Sequence, residues 1–334
     1  MSRALLELRG LRKEFPVHTP FRLVRGVPRV AVRAVDGVDL EVHEGEVVGL
    51  VGESGCGKST VAWCISGLHQ PTSGQIRFDG RPLGMRRDKT TRRRIQMVFQ
   101  DPYSSLNLRM TVGQMLREVL RVHHMRPGNQ IEARATEILH LVGLGVSALE
   151  AYPWQLSGGQ RQRASIARAL ALEPDLLIAD EPVSALDVSV QATIINLLQQ
   201  LQRELGLTLL FIAHNLAVVR HISNRVAVMY LGRVVENAPT EVLFSDPRHP
   251  YTQGLLQAIP RLSPGPLPEK AAIAGELPSP LRLPTGCRFH PRCPIRADVC
   301  TRVDPALSTD GESSLHQAAC HFAWASSARS ATAP

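Results

Sequence analysis

A parallel α/β fold with a helical insertion and a chemically distinct C-terminal segment is the architecture this sequence predicts, and three observations predict it. Short, continuous apolar runs at Val47 to Val51, Asp175 to Asp180 and Leu207 to His214 have the composition of strands buried on both faces of a sheet. Between the first two runs the pattern changes to helical periodicity. Four of the six cysteines then crowd into the last 50 of 334 residues. A hydrophobic fraction of 44% with 20% charged residues supports a buried core and excludes disordered, collagenous and coiled-coil classes.

From the N-terminus, MSRALLELRG carries charges at Arg3, Glu7 and Arg9, where a signal peptide needs an unbroken apolar stretch, so a cytoplasmic chain is expected. No apolar run reaches the roughly 18 to 20 residues that span a bilayer. Residues 1 to 245 alternate strand and helix signals and are read as one domain. Within it, Val112, Met115, Leu116, Val119 and Leu120 share one helical face after Thr111, a candidate N-cap. A second helix is predicted from Ile131 to Val142, closed by Gly143, giving a helical insertion over about 102–165. Residues 246–286 hold a dense set of prolines, among them Pro247, Pro250, Pro260, Pro264, Pro266 and Pro268, and read as a linker. Residues 287–334 form the cysteine-bearing extension.

The first apolar run is followed by Gly52-Glu53-Ser54-Gly55-Cys56-Gly57-Lys58-Ser59-Thr60, a G-x-x-x-x-G-K-[ST] pattern between strand and helix. Glycines let successive N–H groups converge on phosphate oxygens, and the following helix N-terminus adds positive potential. Gly52, Ser54, Gly55, Gly57, Lys58, Ser59 and Thr60 are therefore candidate nucleotide contacts, with Lys58 reaching the β- and γ-phosphates and Ser59 ligating Mg²⁺. The second run ends in Asp180-Glu181. Asp180 is placed to hold Mg²⁺ and Glu181 to take a proton from attacking water. Cys56, beside Lys58 at a helix N-terminus, is expected to have a lowered pKa and to be sensitive to alkylation.

Leu156-Ser157-Gly158-Gly159-Gln160-Arg161-Gln162-Arg163, about 100 residues after the phosphate loop and about 20 before Asp180, resembles the signature sequence of ABC-type ATPases. The resemblance implies a RecA-like parallel-sheet core with an N-terminal antiparallel β region and a helical subdomain. It also implies that Ser157, Gly158, Gly159 and Gln160 bind the γ-phosphate of ATP held by a second subunit, so that two chains sandwich two nucleotides head to tail. Position by position, Gln100 matches the glutamine that contacts the Mg²⁺ site and links it to the membrane partner. Ser184 to Asp187 match the loop that crosses between subunits, and His214 matches the histidine at the γ-phosphate. Phe15 matches the aromatic that stacks on adenine, with an extra segment near 17–30 separating it from the strands that follow.

The resemblance continues to the C-terminus. His249-Pro250-Tyr251-Thr252-Gln253-Gly254-Leu255-Leu256, the proline-rich stretch and Cys287-Arg288-Phe289-His290-Pro291-Arg292-Cys293-Pro294 are similar to the extension of oligopeptide and dipeptide importer ATPases, as are Arg22-Leu23-Val24 and Ala34 to Val38 near the N-terminus. This implies ATP hydrolysis at the cytoplasmic membrane face, with a second ATPase subunit, copy or paralogue, two permease subunits and, indirectly, an extracytoplasmic solute-binding protein.

The tail cysteines Cys287, Cys293, Cys300 and Cys320 are spaced C-x5-C-x6-C-x19-C, which leaves iron–sulfur, zinc and plain thiols open by chemistry alone. The importer resemblance favours a [4Fe–4S] cluster with zinc as the alternative, its charge balanced by Arg288, Arg292 and Arg296. An excess of 38 basic over 30 acidic residues is concentrated in the run from Arg81 to Arg94. With no nucleic-acid motif beside it, that run is read as a solvated loop near anionic lipid rather than as a nucleic-acid patch. The rival function, a soluble ABC ATPase acting on DNA or the ribosome, would call for inserted zinc modules, long coiled coils or two ATPase units, which the sequence does not carry.

Overall fold

Apolar alternation along the chain sets up two sheets, in a computed structural model that describes residues 3–17, 31–84, 86–259, 273, 275–311 and 315–324. Arg22 to Val24 and the prolines from Pro260 to Pro268 lie outside those residues. The chain opens with β1 (Ala4–Pro16) and β2 (Ala31–His43), an antiparallel pair in which Leu8 faces Leu40. β3 (Val47–Val51) runs into α1 (Lys58–Ser66), and β4 (Ser73–Phe78) and β5 (Arg81–Pro82) complete a four-stranded antiparallel sheet in the order β2-β1-β4-β5.

The basic run is folded into short elements. α2 (Lys89–Arg94) is capped by the Asp88 side chain, which accepts from the Thr91 N–H at 2.6 Å. Arg87 is buried and donates to the carbonyls of Cys64 and Gly84, and Arg94 pairs with Asp79 and Asp175. Arg87 and Arg94 are thus committed to internal partners, while Arg81, Arg86, Lys89 and Arg92 are exposed, as a solvated segment requires. β6 (Ile95–Val98) then enters the second sheet.

The helical region follows as α3 (Pro102–Ser105), α4 (Val112–Val122), α5 (Ile131–Leu141) and α6 (Gly158–Leu170). Thr111 and Gln114 form a reciprocal capping box at α4, whose buried face is Val112, Met115, Leu116 and Leu120. Gly143 follows α5 with a φ of 68°, the left-handed value that a glycine adopts without strain.

The chain returns through β7 (Leu176–Asp180), α7 (Val188–Leu205), β8 (Thr208–Ala213), α8 (Leu216–Ile222), β9 (Arg225–Tyr230) and β10 (Arg233–Pro239). α9 (Thr240–Ser245) and α10 (Pro250–Gln257) come next, then α11 (Asp298–Arg302) and β11 (Gln317–Ala318). The second sheet has the order β11-β10-β9-β3-β8-β7-β6, with β3 central and parallel to both β8 and β9. β3 and β8 read as unbroken apolar runs because both faces are covered. Val48, Leu50, Leu210 and Ile212 pack toward the antiparallel sheet and α1, while Val47, Val51, Leu209 and Phe211 pack toward the core shared with the helical region.

The proline-rich stretch opens with α10, because Pro250 occupies its first turn, where a missing N–H costs nothing. The cysteine-bearing tail then folds back onto the sheet. β11 pairs antiparallel with the edge strand β10, Glu236 opposite Ala318, and Phe289 is buried against Tyr230 and Tyr251. Arg288 reaches the buried carboxylate of Asp36 on β2, 252 residues away, and donates to the carbonyl of Leu231. Beneath the tail, the fully buried Glu236 accepts the N–H groups of Arg248 at 2.7 Å and His249 at 3.0 Å and lies 2.8 Å from His316 Nε2.

Candidate functional site

The cleft forms where the central strand β3 ends, because the turn into α1 brings the backbone close to two other chain segments. Gly52 has a φ of 156° and Gly57 of 108°, and a Cβ there would lie 2.1 Å from the carbonyl oxygen of Met229 and 2.0 Å from that of Ala34. Glycine is the side chain that fits. The cleft has a volume of about 250 Å³ and is lined by Ser54, Gly55, Gly57, Lys58, Ser59 and Thr60 together with Ala34, Trp63, Gln100 and Glu181.

Lys58 is nearly buried, and its ammonium donates to the carbonyls of Gly52 at 2.7 Å and Glu53 at 3.1 Å. Its Nζ is also 3.9 Å from Glu181 Oε1. The Ser59 hydroxyl donates to Asp180 at 2.9 Å, joining the start of α1 to the end of β7. Burial pushes the Asp180 carboxyl up, and the neighbouring charge of Glu181 adds to this, against the Ser59 hydrogen bond and Lys58. Glu181 has a φ of 45°, in the left-handed region that non-glycine residues rarely occupy. That turn ends the strand and brings its carboxylate 3.4 Å from Gln100 Nε2 and 3.2 Å from His214 Nδ1. Lys58, Ser59, Gln100 and Glu181 thus line one cleft, and Asp180 and His214, which are not in its lining, join it through the Ser59 hydroxyl and the Glu181 carboxylate.

Other sequence candidates lie elsewhere. Ser157 caps α6 in a reciprocal box with Gln160, the Gln160 N–H donating to the Ser157 hydroxyl at 3.3 Å and the Ser157 N–H to the Gln160 side chain at 2.9 Å. None of residues 157–160 lines the cleft. The same end of α6 meets the segment that starts α7, where a Cβ on Gly158 would touch Leu186 and one on Gly159 would clash with Val190. Asp187 is exposed at the N-terminus of α7 and makes no side-chain cap there.

Phe15 is absent from the lining and stands edge-on to His69 with centroids 5.3 Å apart. His69 is in turn 5.4 Å from Trp63, the aromatic ring that does line the cleft. Sequence reasoning missed Trp63 because a tryptophan five residues after the loop lysine reads as helix core.

Two expectations are overturned. Cys56 is 1% exposed, and burial raises its thiol pKa against the opposing pull of Lys58, so it is not a lowered, reactive thiol. Cys56 is expected to react with iodoacetamide at pH 8 at least about tenfold more slowly in the folded protein than in urea, read by peptide mass spectrometry.

The iron–sulfur assignment also falls, and the described residues offer no zinc site. Among the described residues, no group of three or more His, Cys, Asp or Glu side chains is arranged to hold a metal ion. Cys287, Cys293, Cys300 and Cys320 are free thiols. Burial pushes the Cys287 thiol up to about 11 and also raises those of Cys293 and Cys320. Arg288 and Arg292, expected to balance a cluster, are instead paired with Asp36 and Glu53.

Residues 35–184 match the family described as ABC transporter, and residues 235–300 match that described as oligopeptide/dipeptide transporter, C-terminal region. The oligopeptide transport ATP-binding protein AppF of Bacillus subtilis is 47% identical over 325 residues, covering 95% of this chain and 97% of that protein. The dipeptide transport ATP-binding protein DppF of Escherichia coli is 45% identical over 317 residues, covering 93% of each. Among solved structures, CbiO1 of Clostridium perfringens, part of an ABC transporter complex, superposes with a TM-score of 0.62 at 29% identity over 73% of this chain and 91% of its own. A dimeric ATP-binding cassette bound to ADP and Pi in a post-hydrolysis state gives 0.61 at 30% identity over 70% of this chain and 98% of its own. The chain therefore belongs to the ABC transporter family, as an ATPase of the branch that carries the oligopeptide/dipeptide transporter C-terminal region.

Proposed function

We propose that this chain energises import of di- or oligopeptides by closing on ATP with a second ATPase subunit and driving a pair of membrane permease subunits. The convergence of Lys58, Ser59, Gln100 and Glu181 on one cleft, with Asp180 bonded to Ser59 and His214 to Glu181, carries the reading of its chemistry. The relatives named for oligopeptide and dipeptide transport carry the reading of its cargo. No described helix is long and apolar enough to cross a membrane, which suits a subunit held at the membrane face by its permeases. Ser157, Gly158, Gly159 and Gln160 lie off the chain's own cleft, as residues that serve a partner's nucleotide must.

In this reading the loop N–H groups and Lys58 bind the triphosphate, Lys58 exchanging the carbonyls of Gly52 and Glu53 for phosphate oxygens. Glu181 accepts a proton from the water that attacks the γ-phosphorus as the bond to ADP breaks, while His214 and Gln100 hold the Glu181 carboxylate and orient the water. Ser59 and Asp180 offer the hard oxygen donors that suit Mg²⁺, with Gln100 beside them; the ion would neutralise charge on the phosphate oxygens.

The head-to-tail arrangement is tested in a mixed dimer. Ser157→Arg in one chain is expected to reduce hydrolysis at the site built on the other chain's Lys58 by about a hundredfold or more, through a lost γ-phosphate contact. Full activity at that composite site rejects the arrangement, and co-purification with a permease for a solute other than peptides rejects the cargo.

A further inference from the structure

Glu53 occupies a position of the phosphate loop that the loop pattern leaves open, yet the structure tethers it from three sides. Its carbonyl accepts from Lys58 at 3.1 Å, and its N–H donates to the hydroxyl of Tyr251 at 2.9 Å. Its carboxylate receives two parallel hydrogen bonds from Arg292, of 2.8 and 3.0 Å. Tyr251 belongs to α10 and Arg292 to the tail, 198 and 239 residues further along the chain.

These two residues stand on a shared aromatic base. Tyr251 is fully buried and packs against Tyr230 with centroids 4.6 Å apart and against the tail's Phe289 at 5.5 Å. The Arg292 guanidinium lies 5.9 Å from the Tyr230 ring centroid, and its side chain is only 6% exposed. A planar guanidinium paired bidentately with a carboxylate fixes orientation as well as charge.

We propose that the C-terminal extension is a clamp on the phosphate loop, in which Arg292 and Tyr251 act as positioning residues for nucleotide binding through Glu53. This rests on the cleft's being the ATP site. Tyr251 holds the peptide N–H that follows Gly52, and Arg292 neutralises the one carboxylate that the loop itself carries. Removing Arg292 leaves that carboxylate unpaired beside the triphosphate site, where it repels ATP and frees the loop to reorient. The tail's docked state and ATP affinity are then linked: whatever loosens the tail weakens ATP binding, and bound ATP stabilises the docked tail.

The test is a double-mutant cycle on the full-length chain, with Mg–ATP affinity read by calorimetry and folding by thermal melting. Arg292→Ala is expected to raise the ATP dissociation constant about tenfold, with kcat in the reconstituted transporter changed less than KM. Arg292→Lys recovers part of the loss. Glu53→Gln combined with Arg292→Ala returns affinity to within about threefold of wild type, because the unpaired charge is gone. Tyr251→Phe, which keeps the ring and removes the acceptor, is expected to weaken binding without lowering the melting temperature as far as Tyr251→Ala.

Unchanged affinity in Arg292→Ala overturns the clamp. So does a loss that Glu53→Gln fails to rescue, since that is the signature of a tail that matters for folding alone. A wild-type chain that binds no Mg–ATP overturns the ATP reading of the cleft itself, a result separable from either of these.

Discussion

Glu181→Gln is expected to bind Mg–ATP with near wild-type affinity while steady-state hydrolysis in the reconstituted complex falls by about 10²- to 10⁴-fold, the contribution of a positioned general base. The geometry supports the assignment to Glu181 over Asp180. Asp180 is engaged by the Ser59 hydroxyl and buried, whereas Glu181 faces the cleft with Gln100, Lys58 and His214 around it. The left-handed backbone at Glu181 is the cost of that placement and marks it as a residue whose aim matters more than its local fit. The amide of glutamine is nearly isosteric and can keep the neighbouring contacts, so the change isolates proton acceptance. Turnover within a few fold of wild type would refute the role. Loss of ATP binding together with turnover would point to a structural defect instead.

Arg288→Ala is expected to lower stability by at most about 3 to 5 kcal/mol, the usual cost of stranding one partner of a buried ion pair, because Arg12 at 3.5 Å and Arg233 at 3.9 Å stay beside Asp36, with a fall in melting temperature of up to about 10 °C. Asp36 is 4% exposed and Arg288 8%, so Asp36 keeps only the more distant and more exposed Arg12 and Arg233 when Arg288 is removed. Replacing both, as Asp36→Leu with Arg288→Met, is expected to cost much less than Arg288→Ala alone, because no buried charge is stranded. A single variant no worse than the double would show that the pair contributes nothing.

The same pair sets an acid limit. Burial works against the ionised form of Asp36, but Arg288, with Arg233 and Arg12 behind it, more than offsets this and holds the carboxyl below its ordinary 3.8. The stabilisation is therefore complete above that ordinary value and is lost as pH falls through the lower folded-state value. Thermal melting of wild type between about pH 5 and pH 2 should show this slope, and the Leu–Met double variant should show less of it.

The local grammar of the chain was readable without coordinates where a function depends on neighbours in sequence. The loop from Gly52 to Thr60 can be read as a phosphate cradle because its glycines, lysine and hydroxyl act as one contiguous turn between β3 and α1. Asp180 and Glu181 are readable for the same reason, as the two residues that end a strand buried on both faces. Thr111 is readable as a cap because a cap bonds the backbone within three residues, whereas the capping box of Ser157 appears only in the structure. Trp63 was hidden, since nothing local distinguishes a cleft-facing aromatic from a core-facing one.

What the tertiary structure alone decided involves partners far apart in the chain and the solvent they exclude. Cys56 looks activated beside Lys58, but its burial under the turn from β9 to β10, where the Cys56 carbonyl accepts the Gly232 N–H, reverses the direction of its pKa. The four tail cysteines suggest a metal by count and company, and only the folded arrangement shows free thiols, Cys300 buried and the others half-buried, with no metal-holding group among the described residues. The same folding turns Arg288 and Arg292 from a cluster's counter-charges into anchors on Asp36 and Glu53. A residue's type and its near neighbours specify which hydrogen bonds and turns it can make. Its protonation state and long-range partner depend on how much water the assembled fold removes, and from which side, so they became definite only once the tail had docked on β10 and the phosphate loop.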